Sequence, residues 1–334
     1  MRSSLLGALG FVGRKTLTAM VQLLVVATLI FSVMYIMPGD PVLLLLGAES
    51  NPSPEAIASL RSQLGLDQPV LSQYFTWLWN ALHLDFGRSL TNGYAVSSYV
   101  LENLPRTLEL ALAAILIATL IGVPLGIVAA LKRGSMLDTA MTSIATIGIS
   151  LPVYILGTLL VLVFSIQLSW LPASGYTDMS RNLLEHFRKL ALPAFSLATL
   201  GVIIIAGFGL SASIARMTRS SMLEILGRDF VRALRAKGMP ERRIIWHHVL
   251  RNAAVPIVTI IGLQLGNLMG GTVLVEAIFN WPGLSTLLVS AVSARNYPLV
   301  QGAMLAIAAA FILINLAVEL FYSLLDPRIR RMRS

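Results

Sequence analysis

The chain has 334 residues, 56% of them hydrophobic and 12% charged, with a mean hydropathy of +0.78; a soluble globular domain carries about twice that share of charge. The composition is that of an all-α integral membrane protein, and too few residues lie outside apolar segments to build a large water-soluble enzyme domain. Lys and Arg number 25 against 16 Asp and Glu, for a net charge of +9, while the absence of cysteine excludes disulfides, thiolate metal sites and cysteine nucleophiles.

Thr16 to Met37 is a run of 22 residues without a charge, preceded by Arg14 and Lys15. It exceeds the apolar core of a signal peptide and reads as a retained first helix. The segment that follows, up to Asn103, reads as short amphipathic helices. Ser53 before Pro54 and Glu55 is a helix start, and the aromatics Tyr74, Phe75, Trp77 and Trp79 suit a helix lying at the headgroups rather than a ligand-contact surface. Further apolar runs at roughly 104–131, 137–165, 191–216, 253–279 and 298–325 bring the expected spans to six. The organisation expected is an amino-terminal region over 1–103 and a five-helix core over 104–334.

Within the core, Pro152 interrupts the third span and marks a kink, compatible with a gate or with ordinary packing. Gly262, Gly266 and Gly270 repeat every four residues in the fifth span and form a small-residue ridge for close helix packing. Gln264 and Asn267 share that helix and face either a neighbour or a substrate path.

Orientation follows from the cost of translocating Lys and Arg. With both termini cytoplasmic, 18 of the 25 Lys and Arg fall inside. That bias accounts for the basic character through the membrane surface and needs no nucleic acid.

The longest inside loop, about 218–252, is patterned as helix, stop, helix. On a helical wheel Leu226, Gly227, Phe230, Val231, Ala233 and Leu234 share an apolar arc, with Arg228, Asp229, Arg232 and Arg235 opposite and Lys237 at its edge. Gly238 followed by Pro240 is a helix stop, after which a second helix runs into the fifth span. Such a helix covers its apolar face with the inner leaflet or with a soluble partner.

These residues resemble a known family. Phe230-Val-Arg-Ala-Leu-Arg-Ala-Lys-Gly238, followed by His248-Val-Leu-Arg-Asn-Ala253 and Pro256, is similar to the EAA loop of ATP-binding-cassette (ABC) importer permeases of the peptide, nickel and opine class. The resemblance extends to Met37-Pro-Gly-Asp-Pro41, Leu64-Gly-Leu-Asp-Gln-Pro69, Ser150-Leu-Pro152, Arg216-Met-Thr-Arg-Ser-Ser-Met222, Phe279-Asn-Trp-Pro-Gly283 and Asp326-Pro-Arg-Ile329. Arg232, Ala233 and Leu234 stand where the family has Glu-Ala-Ala, so the first acid is absent. Gly238 is the glycine that follows, and Arg251 stands where a later proline would be.

The resemblance implies a six-helix type I importer transmembrane domain in a bacterial inner membrane, taking up di- or oligopeptides. Its loop would be a coupling helix, with Phe230, Arg232, Ala233, Leu234, Arg235, Lys237 and Gly238 contacting an ATPase. The implied partners are a second homologous permease, two ATPase subunits that hold ATP and Mg, and an extracytoplasmic substrate-binding protein. Nickel, metal-chelate, glutathione or opine uptake is the alternative within the class.

The residues make a separate case for an external energy source. No G-x-x-x-x-G-K-[ST] phosphate loop occurs in the chain. Glu109, Glu276 and Glu319 lie nearer span ends than middles, and no ionisable residue falls within six positions of a span midpoint. An ion-coupled carrier, the rival from another class, is expected to have one there. No carboxylate pair or Ser, His and Asp arrangement points to hydrolysis, so no catalytic site is expected. His247 and His248 are adjacent and diverge on a helix, and His83 and His186 are solitary, so no metal or other cofactor site is expected in this chain.

Overall fold

The computed structural model describes residues 2–36, 42–43, 53–63, 65–136, 138–140, 143, 153–199 and 209–325. In chain order the helices are α1 (Arg2–Ile36), α2 (Pro54–Gln63), α3 (Val70–Leu82), α4 (Val96–Leu131), α5 (Val153–Leu160), α6 (Leu183–Thr199), α7 (Gly209–Leu226) and α8 (Asp229–Ala236). They continue with α9 (Glu241–Gly271), α10 (Val273–Ile278), α11 (Leu284–Ser293) and α12 (Tyr297–Leu325). Strands are absent among the described residues apart from an isolated bridge between Arg88 and Ala95.

Four helices among the described residues are long and apolar enough to cross a bilayer, those over Val12–Ser32, Val96–Leu131, Glu241–Gly271 and Tyr297–Phe321. The expected third and fourth spans are described only in part. A π-helical turn, Val161–Gln167, follows α5, and α6 and α7 flank residues 200–208. Pro152 and the motifs at 37–41, 150–152 and 326–329 lie outside the described residues. The fifth span differs from expectation at its far end only, since the helix expected after Pro240 does run into it. Its helix starts at Glu241 and includes a π-helical stretch, Ile244–Val249, and it breaks at Thr272 before α10.

The chain divides into two compact units. One comprises residues 14–107 and 282–313. Here two of the four aromatics of α3 pack on α1. Tyr74 meets Phe31 edge-on at 5.3 Å and bonds the Thr28 hydroxyl at 2.8 Å, and Trp77 lies 5.7 Å from Phe31. Phe75 and Trp79 stay exposed. Spacing separates the two pairs: Tyr74 and Trp77 are three residues apart and share a face, which α1 covers. Asn296 stitches this unit internally, accepting from the Leu90 N–H and donating to the Ser89 hydroxyl at 2.7 Å.

The other unit comprises residues 1–13, 108–281 and 314–334. Its larger core joins Leu110, Ala114 and Ala118 of α4 to Leu190, Leu197, Ile214, Leu268, Phe279 and Trp281. Small residues at every fourth position from Ala114 to Ala130 of α4 (Ala114, Ala118, Gly122, Gly126, Ala130) permit the close helix contacts that a bilayer domain needs, because burying apolar groups gains little when lipid is equally apolar. A second core in the same unit gathers Ile127, Ala130, Met222, Ile225, Val231, Ile244, Val249, Ala253 and Ile257. This second core seats the candidate site.

Candidate functional site

The apolar arc expected over 226–237 is not one helix. α7 ends at Leu226, Arg228 adopts extended backbone at the start of α8, and the helix itself is the eight residues Asp229–Ala236. The wheel joined two helices across Gly227. Within α8 the arc is also only partly covered. Val231 is fully buried and Leu234 partly so, both against the second core, whereas Phe230 and Ala233 are exposed, Phe230 at 38%. One side of α8 is therefore an anchor, and Phe230 and Ala233 lie exposed beside it, on a helix whose Asp229, Arg232, Arg235 and Lys237 are exposed as well.

The helix ends as the sequence requires. Gly238 has φ +74°, the left-handed conformation that a Cβ disfavours. Its N–H donates to Arg235 O at 2.9 Å and the Met239 N–H donates to Leu234 O at 3.2 Å, the paired bonds of a Schellman motif. Met239 and Leu234 both pack on the second core, completing the motif's apolar contact. A two-pronged pair then spans the turn, Arg235 donating to the Glu241 carboxylate at 2.6 and 3.1 Å. That hydrogen-bonded carboxylate raises the Arg235 pKa above its ordinary value, so the guanidinium is charged at any cellular pH. Arg232 makes a looser exposed contact with Asp229 at 3.4 Å.

The helix that leads into α8 is held by a pair that sequence reasoning missed. Arg219 donates to both carboxylate oxygens of Asp138 at 2.7 and 2.8 Å, and the Gly134 N–H donates to the same carboxylate at 3.0 Å. Asp138 is buried. This joins the turn after α4 to the helix that leads into α8. The 81-residue separation hides the pair from any local pattern.

At another place in the same unit, His186 is not solitary. It is 1% exposed, with Nδ1 donating to Thr177 O at 2.7 Å and Nε2 against the Glu109 carboxylate. Tyr176 stacks edge-on to Trp281 at 4.9 Å beside it, and the Gly175 N–H donates to Phe279 O at 2.8 Å.

On α9, Gly262 is buried where an added Cβ would strike Val318. Gly266 is buried, but Gly270 has nothing within 4 Å of its Cβ position. Asn267 Nδ2 donates to Gln264 Oε1 at 3.3 Å, and Asn267 is exposed. Among the described residues, no three His, Cys, Asp or Glu side chains cluster as metal ligands.

α8 is thus rooted by one side in the second core, exposed on the other and closed by a glycine turn. The chain belongs to the family described as binding-protein-dependent transport system inner membrane component, whose model matches residues 122–331, with the companion amino-terminal model matching 8–111. It is a membrane-embedded permease subunit of the ABC importer type.

Among its relatives, a putative peptide transport system permease protein of Brucella abortus (strain 2308) is 41% identical over 317 residues, covering 95% of this chain and 98% of that protein. The dipeptide transport system permease protein DppB of Escherichia coli (strain K12) is 38% identical over 331 residues, covering 92% and 95%. Among solved structures, an inward-facing conformation of the MetNI methionine ABC transporter aligns with a TM-score of 0.54 at 19% identity, over 68% of this chain and 96% of that one. That likeness bears on the fold.

Proposed function

We propose that this chain is the peptide-conducting permease subunit of an ATP-driven importer. α8 would dock in a cleft of an ATPase subunit, and ATP with Mg would be held there and not in this chain. The observation that carries the reading is the division of α8, with Val231 and Leu234 rooted in the second core and Phe230 and Ala233 exposed. Motion imposed on the exposed side would pass through the rooted side to α4, α7 and α9, which share that core. The relatives named for peptides and dipeptides support the substrate class. The charge bias supports cytoplasmic termini, which puts α8 on the side where ATP is found. A second homologous permease, two ATPase subunits and an extracytoplasmic binding protein would complete the complex.

The test is uptake by the assembled complex in liposomes, with labelled alanyl-alanine and nickel ion offered in parallel. Accumulation of the peptide that needs internal ATP and stops with vanadate is the expected result. Nickel uptake without peptide uptake would replace the substrate, and peptide uptake driven by an ion gradient without ATP would overturn the mechanism.

A further inference from the structure

We infer that the Gln264–Asn267 amide pair of α9 hydrogen-bonds the backbone amide of a peptide in transit; this rests on the peptide reading above. Arg251, exposed, marks a polar end of α9. From there to Asn267 the helix climbs about 24 Å at 1.5 Å per residue, which places Asn267 within the outer part of a hydrocarbon core about 30 Å thick, about 6 Å short of its far edge. At that depth an amide turned to lipid forfeits several kcal/mol of hydrogen bonding. Exposed polar groups within a span therefore face protein or a water-filled path.

The mutual bond leaves defined atoms free. Asn267 Nδ2 donates to Gln264 Oε1, so Asn267 Oδ1 remains an acceptor and Gln264 Nε2 a donor. Among the described residues neither atom has another hydrogen bond. One acceptor and one donor are the complement of one peptide unit, its N–H and its C=O. Recognition of that unit ignores side chains, as a carrier of many different peptides requires. The face beside the pair is open: Leu263 is 48% exposed, and no atom lies within 4 Å of a Cβ placed on Gly270 or Gly271.

The experiment compares alanyl-alanine with its ester isostere alanyl-lactate, which lacks the peptide N–H, using the whole complex with its binding protein in liposomes. The wild-type complex should take up the ester about five- to tenfold more slowly, the worth of one hydrogen bond. In Asn267→Leu the peptide-to-ester rate ratio should fall about five- to tenfold relative to wild type because peptide uptake falls, while Asn267→Gln loses only part of that factor. Any preference of the binding protein is common to all complexes and cancels. An unchanged ratio in Asn267→Leu, or no discrimination by wild type, overturns the proposal. So does failure of the Asn267→Leu and Gln264→Leu chains to co-purify with the second permease, which would make the pair a subunit contact. Absence of any alanyl-alanine uptake by wild type refutes the peptide reading itself and is seen before any variant is compared.

Discussion

Arg219 grips both oxygens of Asp138 in a planar fork, and the two side chains differ in their access to water: that of Asp138 is 7% exposed and that of Arg219 31%. The asymmetry sets an order of harm. Arg219→Leu strands a buried carboxylate, whereas Asp138→Leu frees a guanidinium that water already reaches. Thermal unfolding of the purified complex should show a loss of several degrees for Arg219→Leu and a smaller one for Asp138→Leu. The double variant should be less impaired than the sum of the two. Equal losses that simply add would mean that the pair does not act as a unit.

Gly238 is constrained by its φ of +74° and not by crowding, since nothing lies within 4 Å of a Cβ there. Size should therefore matter less than tolerance for the left-handed region. Gly238→Asn is expected to keep most uptake, Gly238→Ala to cost about 1 kcal/mol in the turn, and Gly238→Val to cost more. In each case ATP hydrolysis by the complex should fall less than uptake, so the ratio of ATP used per peptide imported rises in that order. A ratio that stays constant across the series would show that the turn has no part in coupling.

Val231 and Phe230 are neighbours with opposite exposure. Val231→Ala empties a fully buried site in the second core and should lower stability by about 2 kcal/mol. Phe230→Ala removes a side chain that is 38% exposed and should leave the unfolding temperature nearly unchanged while weakening co-purification of the ATPase subunits. The reverse pattern would exchange the anchor and the docking side.

Much of this arrangement is legible in the sequence where the determinants are local. The Gly238 and Pro240 stop, the start of α2 at Ser53 and the apolar runs of α4 and α12 each follow from spacing within a few residues. Two kinds of feature are not local. The pairs Asp138–Arg219 and His186–Glu109 join residues 81 and 77 positions apart, and an isolated Asp or His carries no sign of its partner. The wheel over 226–237 failed for a different reason. Gly227 detaches Leu226 from the helix, and within Asp229–Ala236 the apolar arc is wider than the strip the second core covers, so Phe230 and Ala233 share the arc of Val231 and Leu234 without sharing their burial. The π-helical stretch before Leu250 likewise preserves the apolar pattern and changes only the hydrogen-bond register.

Two close approaches differ in their capacity to be repaired. Gly262 faces the Val318 side chain, whereas a Cβ on Gly126 would lie 2.5 Å from both Ala215 O and Thr218 Cβ. Gly262→Ala and Gly126→Ala should each destabilise by about 1–3 kcal/mol through overpacking. Adding Val318→Ala should restore the first, because the obstructing atoms are then gone. No side-chain change removes the backbone carbonyl that opposes the second. Melting temperatures of the two variants and of the Gly262→Ala/Val318→Ala double variant decide this directly.

The proposed transport cycle requires work to enter through α8 from an ATPase. The most direct measurement is alanyl-alanine accumulation in liposomes bearing both permeases and the binding protein, with and without the ATPase subunits, and with Phe230→Asp in place of the native chain. Accumulation should require the ATPases together with ATP, and should vanish in Phe230→Asp although the two permeases still co-purify. Peptide driven against its gradient by the permeases alone, or undiminished by Phe230→Asp, would contradict it.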